Sequence, residues 1–497
     1  VAEFIQASQP DQYTGSLAVL ESIPADDPDT SQRLESGGTI GCFQIESPGM
    51  RSTLREIHAR SEDDLMAALA LYRPGPLSGG LKDVFVRRFK GEEPVEHLHP
   101  ALAPLLADTF GVILYQEQVL RIAHELAGFS LAEADLLRRA MSHFDPGRLM
   151  QDLERKFVSQ AQTRSGVPVE TAERVWEMMA AFAGYGFPKA HAASYAKVSW
   201  RSAWCKTHFP AEFMAAVLAN WGGYYSQSVY LGEARRLGLT VRPPHVNYSS
   251  RNFVAASPES GSKVLFMGLD QVRNMTRRTI GRILRGQPFA SLEDFLTRAD
   301  PRIQEAGDLA RVGAFEGWGT IPAILRRLQS GGWQSGQPSL FEYPKGGDEY
   351  SHGKISEKNF GEFKEGEDWT LEQKFAAQQE LLGSSLDAHP LELVAGRISA
   401  AGAITTVDAA CRVGQRVTVA GIRQSGHRSR TAQGDLMLFL TLEDLAGMLD
   451  VAVFPDVYRQ VRSFIHSSGP FLVTGIIKTD SGRSEPLLVA EKVKQLG

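Results

Sequence analysis

The chain has 497 residues, 43% of them hydrophobic, and exceeds the roughly 250 to 300 at which one core stops growing, so two to four domains are expected. Its net charge of −5 argues against indiscriminate nucleic-acid binding by the surface as a whole, and no apolar run reaches the roughly 20 residues of a membrane helix. Cys42, Cys205 and Cys411 are widely spaced, match no metal-ligand pattern and are too few for a disulfide framework; "VAEFIQASQP" lacks the regions of a signal peptide, so the reducing cytoplasm is the expected location.

Residues 1–35 mix short apolar runs with "ESIPADDPDTSQ", where the prolines and acids predict a turn entering a helix with Asp29 or Thr30 near its N-cap. Asp27 and Asp29 have the D-x-D spacing of a two-magnesium site, but the flanking prolines favour a helix cap over a catalytic strand. The chain opens on valine within structured-looking sequence and is expected to be the later part of something longer. From 36 to 240 the pattern is helical: "LYQEQVLRIAHELAGF" repeats apolar residues every three or four positions, and "SLAEADLL" opens with Ser130 and Glu133 as a capping box.

Residues 241–330 begin with extended stretches and continue as two short helix pairs, with five arginines (273, 277, 278, 282 and 285) across "QVRNMTRRTIGRILR". Residues 331–368 turn rich in Gly, Ser, Lys and Glu and lose periodicity, which predicts a linker. A connecting helical segment occupies 369–410. Residues 411–497 carry about five strand-like runs interrupted by one helix, the pattern of a small OB-type barrel. The expected class is therefore multidomain and mainly α, with a C-terminal β-barrel.

Cations gather in and around the central helices: Arg138 and Arg139, then Lys189, His191, Lys197, Arg201 and Lys206 about the corner "AFAGYGFPKAHAASYA". Arg73 precedes a Pro-Gly-Pro turn, and Tyr115, Gln116 and Gln118 stand at a strand-to-helix junction. Taken singly, most such residues are solvated surface. Together, rings that stack, amides that read base edges and cations that hold phosphate are the parts of a nucleotide site.

"GTIGCFQIESPGMR", "ALYRPGPLSGG", "FGVILYQEQV", "EADLLRRAM", "FAGYGFPKAHAASYA" and "HFPAEFMAAVLAN" follow one another here in an order and spacing that resemble the bacterial DNA polymerase III alpha subunit, the C family of DNA polymerases, over nearly the whole chain. The resemblance implies an end of the palm and its connection at 1–35, fingers at 36–240, and a tandem helix-hairpin-helix domain at 241–330. A clamp-binding peptide would lie in the linker, with an OB domain at 411–497. It implies nucleotide or phosphate contacts from Arg73, Tyr115, Gln116, Arg138, Arg139, Lys189 and His191, with Tyr195 packing near the nascent pair. DNA contacts are expected from Arg273, Arg277, Arg278 and Arg282, although the hairpin "VRNMT" lacks the glycines that usually build its phosphate nest. Arg423, Arg428 and Phe439, with His427 and Arg430, would hold single-stranded template.

"QPSLF" resembles the bacterial sliding-clamp peptide, with Gln337 at the rim of a pocket filled by Leu340 and Phe341. The implied chemistry is two-metal phosphoryl transfer with Mg2+, whose aspartates are expected upstream of residue 1, so that no catalytic or metal-binding residue is expected in this chain and it is expected to be inactive alone. Expected partners are primer-template DNA, deoxynucleoside triphosphates, the sliding clamp and other replisome or damage-tolerance proteins, with no membrane. Ser142, His143 and Phe144, where the replicative form has a Gly-Lys-Lys run, together with "GFP" and "NWGGYYS", lean toward the error-prone branch; "AGYG" and "KAHAASYA" lean toward the replicative one. A non-catalytic DNA- and clamp-binding scaffold stays open as the alternative.

Overall fold

Helix signals in the first half of the sequence are met by matching caps in the structure, a computed structural model that describes residues 1–72, 80–142, 148–181, 187–220, 223–257, 263–330, 366–431, 433–480 and 483–496. Asp27, and not the expected Asp29 or Thr30, is the N-cap of α1 (Pro28–Glu35), because Pro28 already takes the first helical position: the Asp27 carboxylate accepts from the Thr30 amide at 2.8 Å and the Thr30 hydroxyl at 2.6 Å. Ser47 caps α2 (Pro48–Glu56), and Ser61 with Asp64 forms a capping box at α3 (Glu62–Leu71). Helices α4 (Leu81–Phe89), α5 (Gln116–Ala127), α6 (Leu131–Ser142), α7 (Arg148–Ser165), α8 (Val169–Ala181) and the 20-residue α9 (Lys189–His208) follow. The amide and hydroxyl of Ser130 both donate to Glu133, so the predicted box at the start of α6 is formed.

The chain divides into two compact units, one of residues 10–208 and one of residues 3–9 with 209–497. In the first, Ile122, Leu126, Phe129, Phe157, Val175 and Met179 are fully buried in one core shared by α5, α7 and α8. Each large apolar side chain so buried contributes about 1.5–3 kcal/mol. Helix α9 packs against α3 and α1.

The helical run expected as one domain over 36–240 splits at this boundary. Helices α10 (Pro210–Ala219) and α11 (Gln227–Arg236) belong to the second unit because α10 packs on a small sheet there and its buried Glu212 pairs with Lys263. In that sheet β3 (Val264–Phe266) lies between β1 (Thr240–Arg242), to which it is parallel, and β2 (Val254–Ala256), to which it is antiparallel. The two expected helix pairs follow as α12 (Arg277–Gly286) with α13 (Leu292–Ala299), and α14 (Ile303–Val312) with α15 (Ile321–Gln329). The clamp-like peptide 337–341 lies outside the described residues.

Helix α16 (Leu371–Leu382) leads to a closed five-stranded barrel of β4 (Arg416–Arg430), β5 (Leu436–Glu443), β6 (Met448–Val453), β7 (Phe471–Asp480) and β8 (Arg483–Gln495), in the order β4-β5-β6-β8-β7. Pairing is antiparallel except between β6 and β8, and the one helix expected here, α17 (Pro455–Val461), lies between β6 and β7. Val419, Leu442, Val451, Phe471, Val473 and Leu488 fill the interior. At Gly475 a Cβ would stand 2.0 Å from the Val489 carbonyl oxygen, so only glycine lets β7 bend onto β8 there.

Two outcomes follow from the first unit. Replacing Asp27 by alanine is expected to cost about 1 kcal/mol by urea denaturation. Burial pushes the Asp27 carboxyl up, but hydrogen bonds from Thr30 and His208 outweigh it and leave the value below the ordinary 3.8. Its contribution is therefore full above that ordinary value and disappears as the pH falls through the lowered one. Lys206 is fully buried in α9 and donates to the carbonyls of Gly38 at 2.9 Å and Ile40 at 2.8 Å. Lys206→Met removes both bonds and is expected to cost about 3 kcal/mol in the same assay, with each deprived buried carbonyl worth ~1–3 kcal/mol.

Candidate nucleotide and nucleic-acid sites

The corner before α9 is assembled from three segments of the first unit. Tyr115 forms an isolated parallel bridge with Phe187, and the Gln116 amide donates to the Phe187 carbonyl at 3.0 Å. The Gln116 side-chain oxygen accepts from Arg138 at 3.3 Å, bringing α6 to the same place. At the start of α9 the Lys189 amide donates to both oxygens of Glu117, at 3.0 and 2.9 Å, so a carboxylate occupies the positive end of this long helix. Tyr115, Gln116, Arg138, Lys189, His191 and Tyr195 thus meet at one corner; Arg73 lies outside the described residues.

Several side chains take roles different from those expected. The Tyr115 ring is only 4% exposed and cannot receive a base; it lies instead under the Lys189 ammonium, which stands 5.6 Å from its centroid. Burial, followed by the nearby acids Asp63, Asp108 and Glu117, pushes its phenol well above the ordinary value. Gln118 reads no base edge: its buried amide accepts from the Leu114 and Tyr115 amides and donates to Thr109, closing the start of α5. Lys206 holds backbone carbonyls and is closed to phosphate.

Arg138, Arg139 and Lys189 face solvent with carboxylates beside them. Arg138 and Arg139 share Asp135, at 2.8 and 2.7 Å, and Arg138's hydrogen bond leads the causes that hold that carboxyl below its usual range. Lys189 is 3.6 Å from Asp108, with both groups well exposed, a loose pair of little strength. His191 and Tyr195, one turn apart on α9, hold their rings 4.0 Å apart. Phe187 lies 5.2 Å beyond His191, and Phe43 lies 5.2 Å beyond Tyr195. Phe43 was not picked out as a site residue from the sequence, where an aromatic beside "GC" gives no sign that it stays outside the core.

In the second unit the hairpin "VRNMT" turns at Asn274, whose φ of 68° supplies the left-handed conformation expected of glycine, and whose side chain donates to buried Asp308 at 3.1 Å. The Glu305 carboxylate accepts from the Thr276 amide, the Thr279 hydroxyl and the Arg302 amide, joining the starts of α12 and α14. Arg273 and Arg277 are exposed, whereas Arg278 and Arg282 both pair with Asp300.

On the barrel, His427 and Phe439 oppose each other across β4 and β5 and stack at 5.3 Å with 18° between planes, on the face opposite the core residues Leu438 and Leu440. Arg428 reaches His466 at 3.2 Å; burial, then the charges of Arg428 and Arg423, hold that imidazole below its ordinary value. Arg423 also donates to the Ile465 carbonyl at 3.2 Å and so helps pin a loop.

Residues 4–165 match the bacterial DNA polymerase III alpha subunit finger domain, and residues 238–322 match a helix-hairpin-helix motif. The chain is 34% identical to DNA polymerase III subunit alpha of Caulobacter vibrioides over 90% of this chain and 39% of that protein. It is likewise 34% identical to that of Halalkalibacterium halodurans over 97% and 42%. With the error-prone DNA polymerase of Corynebacterium efficiens it shares 33% identity over 92% and 41%. The chain spans about two fifths of the length of these relatives. Residues 4–165 thus carry the finger domain of bacterial DNA polymerase III alpha subunits and residues 238–322 a helix-hairpin-helix motif, and nearly the whole chain is similar to proteins named DNA polymerase III subunit alpha and error-prone DNA polymerase.

Proposed function

We propose that this chain supplies nucleotide binding, DNA binding and clamp docking to a DNA-directed DNA polymerase that extends a primer 3′ end by phosphoryl transfer. One observation carries the reading: motifs separated by some seventy residues meet at the start of α9, where Gln116 bonds both the Phe187 carbonyl and Arg138, and Glu117 caps Lys189. Lys189, Arg138 and Arg139 hold phosphate charge, exchanging their present carboxylate partners for phosphoryl oxygens, while His191 and Tyr195 pack against the nucleotide. Tyr115 acts beneath them by orienting Lys189.

Mg2+ is the metal such chemistry uses, and Asp27 with Asp29 does not fit it. Asp27 is committed to Thr30 and His208, the latter at 2.9 Å, and the described residues hold no group of three or more His, Cys, Asp or Glu side chains arranged for a metal. We infer that the metal-holding carboxylates are supplied from outside these 497 residues.

The helix pairs α12–α13 and α14–α15 act as a tandem helix-hairpin-helix that holds DNA phosphate, with Arg273 and Arg277 exposed beside the Asn274 turn and Arg278 and Arg282 released from Asp300 on binding. The barrel acts as an OB domain whose His427–Phe439 pair stacks on single-stranded template, with Arg428 supplying charge. Gln337, Leu340 and Phe341 form the clamp peptide. A chain handling DNA and nucleotides works in the cytoplasm, and both the replicative and the error-prone groups among its relatives are compatible with this reading.

The purified chain is expected to bind a fluorescent primer-template by anisotropy and to give no primer extension with Mg2+ and all four triphosphates. Robust templated incorporation would overturn the assignment of the carboxylates, and absence of DNA binding would overturn the functional reading. Alanine at both Leu340 and Phe341 is expected to abolish clamp binding in a calorimetric titration while leaving DNA affinity within about twofold, since a few anchors carry most of such an interface.

A further inference from the structure

The loop of residues 37–46 holds one phenyl ring in solvent with unusual firmness. Lys206 binds the loop from below through Gly38 and Ile40, Thr39 donates from its hydroxyl to the Ile45 carbonyl at 2.6 Å, and the Gly41 amide donates to Glu46 at 2.8 Å. Gln44 is held at a φ of 61°, a left-handed conformation that costs energy for a non-glycine residue and persists only where its surroundings dictate it. Between these restraints the Phe43 amide donates to Ser202 at 3.1 Å and the Phe43 carbonyl accepts from Ser199 at 2.8 Å. Both ends of Phe43 are therefore bonded to α9, yet its side chain remains 40% exposed.

That ring continues a series already present on the helix. Phe187, His191 and Tyr195 follow at four-residue spacing along one face, Ser199 takes the next position, and the Phe43 ring is brought in beside Tyr195. Ser199, where the aromatic row would end, together with Ser202 holds the loop that extends it. Lys189 stands at the other end, half-exposed and loosely paired. The row thus runs from a cation to an exposed apolar ring, the same order as phosphate to base in a nucleotide. An exposed ring alone would be ordinary surface; a ring whose backbone is bonded on both sides, beside a strained residue and in line with three other rings, is a preformed stacking surface.

We propose that Phe43 is a base-stacking residue of the nucleotide site, receiving the face of a nucleobase at the end of the row Phe187–His191–Tyr195–Phe43 while the phosphates lie toward Lys189. This rests on the nucleotide-binding reading of the α9 corner. Because every base has a π-face, the contact is tolerant of base identity and supplies affinity and position, not sequence choice.

The test titrates the 497-residue chain, with an unlabelled primer-template, against 2-aminopurine deoxynucleoside triphosphate, whose fluorescence is quenched on stacking. Phe43→Ala is expected to weaken binding about 5- to 100-fold and to abolish quenching, Phe43→Leu to lose most of the quenching despite its apolar side chain, and Phe43→Trp to retain affinity within about threefold. Lys189→Ala is expected to weaken binding while leaving residual quenching. If wild type and Lys189→Ala differ but Phe43→Ala and Phe43→Leu match wild type within about twofold, the role of Phe43 is rejected and the nucleotide site stands. If the wild-type chain does not bind the analogue, both fall. Circular dichroism of each variant checks folding, and should Phe43→Ala unfold, the leucine and tryptophan variants decide by quenching.

Discussion

A buried ammonium organises the first unit. Lys206 sits among apolar residues of α9, and a charge in that setting is tolerable only if its donors are met. The carbonyls of Gly38 and Ile40 accept two of its hydrogen bonds, and in doing so they tie the loop before α2 to a helix more than 160 residues away in sequence. The same approach seals Cys42 inside, where burial pushes its thiol up to about 11, and leaves Phe43 beside Tyr195. The firmness of the proposed nucleotide corner at one end of α9 is matched by this anchor toward the other.

The second unit relies on a comparable arrangement around Glu443. Its carboxylate, at the end of β5 and nearly inaccessible, accepts from Arg236 of α11 at 2.9 Å and from Gln424 of β4 at 2.5 Å. Burial pushes this carboxyl up, and the Arg236 charge opposes it. Ser226 and Ser228 donate to the other end of the Gln424 amide, so the approach to α11 is bonded to the strand that also carries His427. Buried charge here fixes where a helix meets a barrel, the kind of positional role for which such pairs are best suited.

The exposed cations of the proposed binding surfaces follow a different rule. Arg138 with Arg139 on Asp135, and Arg278 with Arg282 on Asp300, each set two guanidiniums against one carboxylate, leaving excess positive charge in a prearranged geometry. Pairs of this exposure contribute little to stability, so their partners are exchangeable. This also reconciles an overall charge of −5 with the proposed DNA-binding surfaces: what matters is where the unbalanced cations sit.

Local chemistry wrote much of this protein into its sequence. The turn into a helix near residue 28, the Ser130–Glu133 box, the two helix pairs and the five strands of the last segment were readable because capping, apolar periodicity and turn residues act over a few positions. The order of motifs likewise carried the family. What proximity decided was not readable. That Tyr115 is covered and Lys189 stands over it, that Gln118 closes a helix, that Asn274 makes the turn a glycine was expected to make, that α10 belongs with a sheet beyond residue 240, and that Phe43 stays outside while its backbone is bonded on both sides all depend on segments brought together by folding. A residue type states what chemistry is available; burial and the partner supplied by a distant segment decide whether that chemistry faces a ligand or holds the fold.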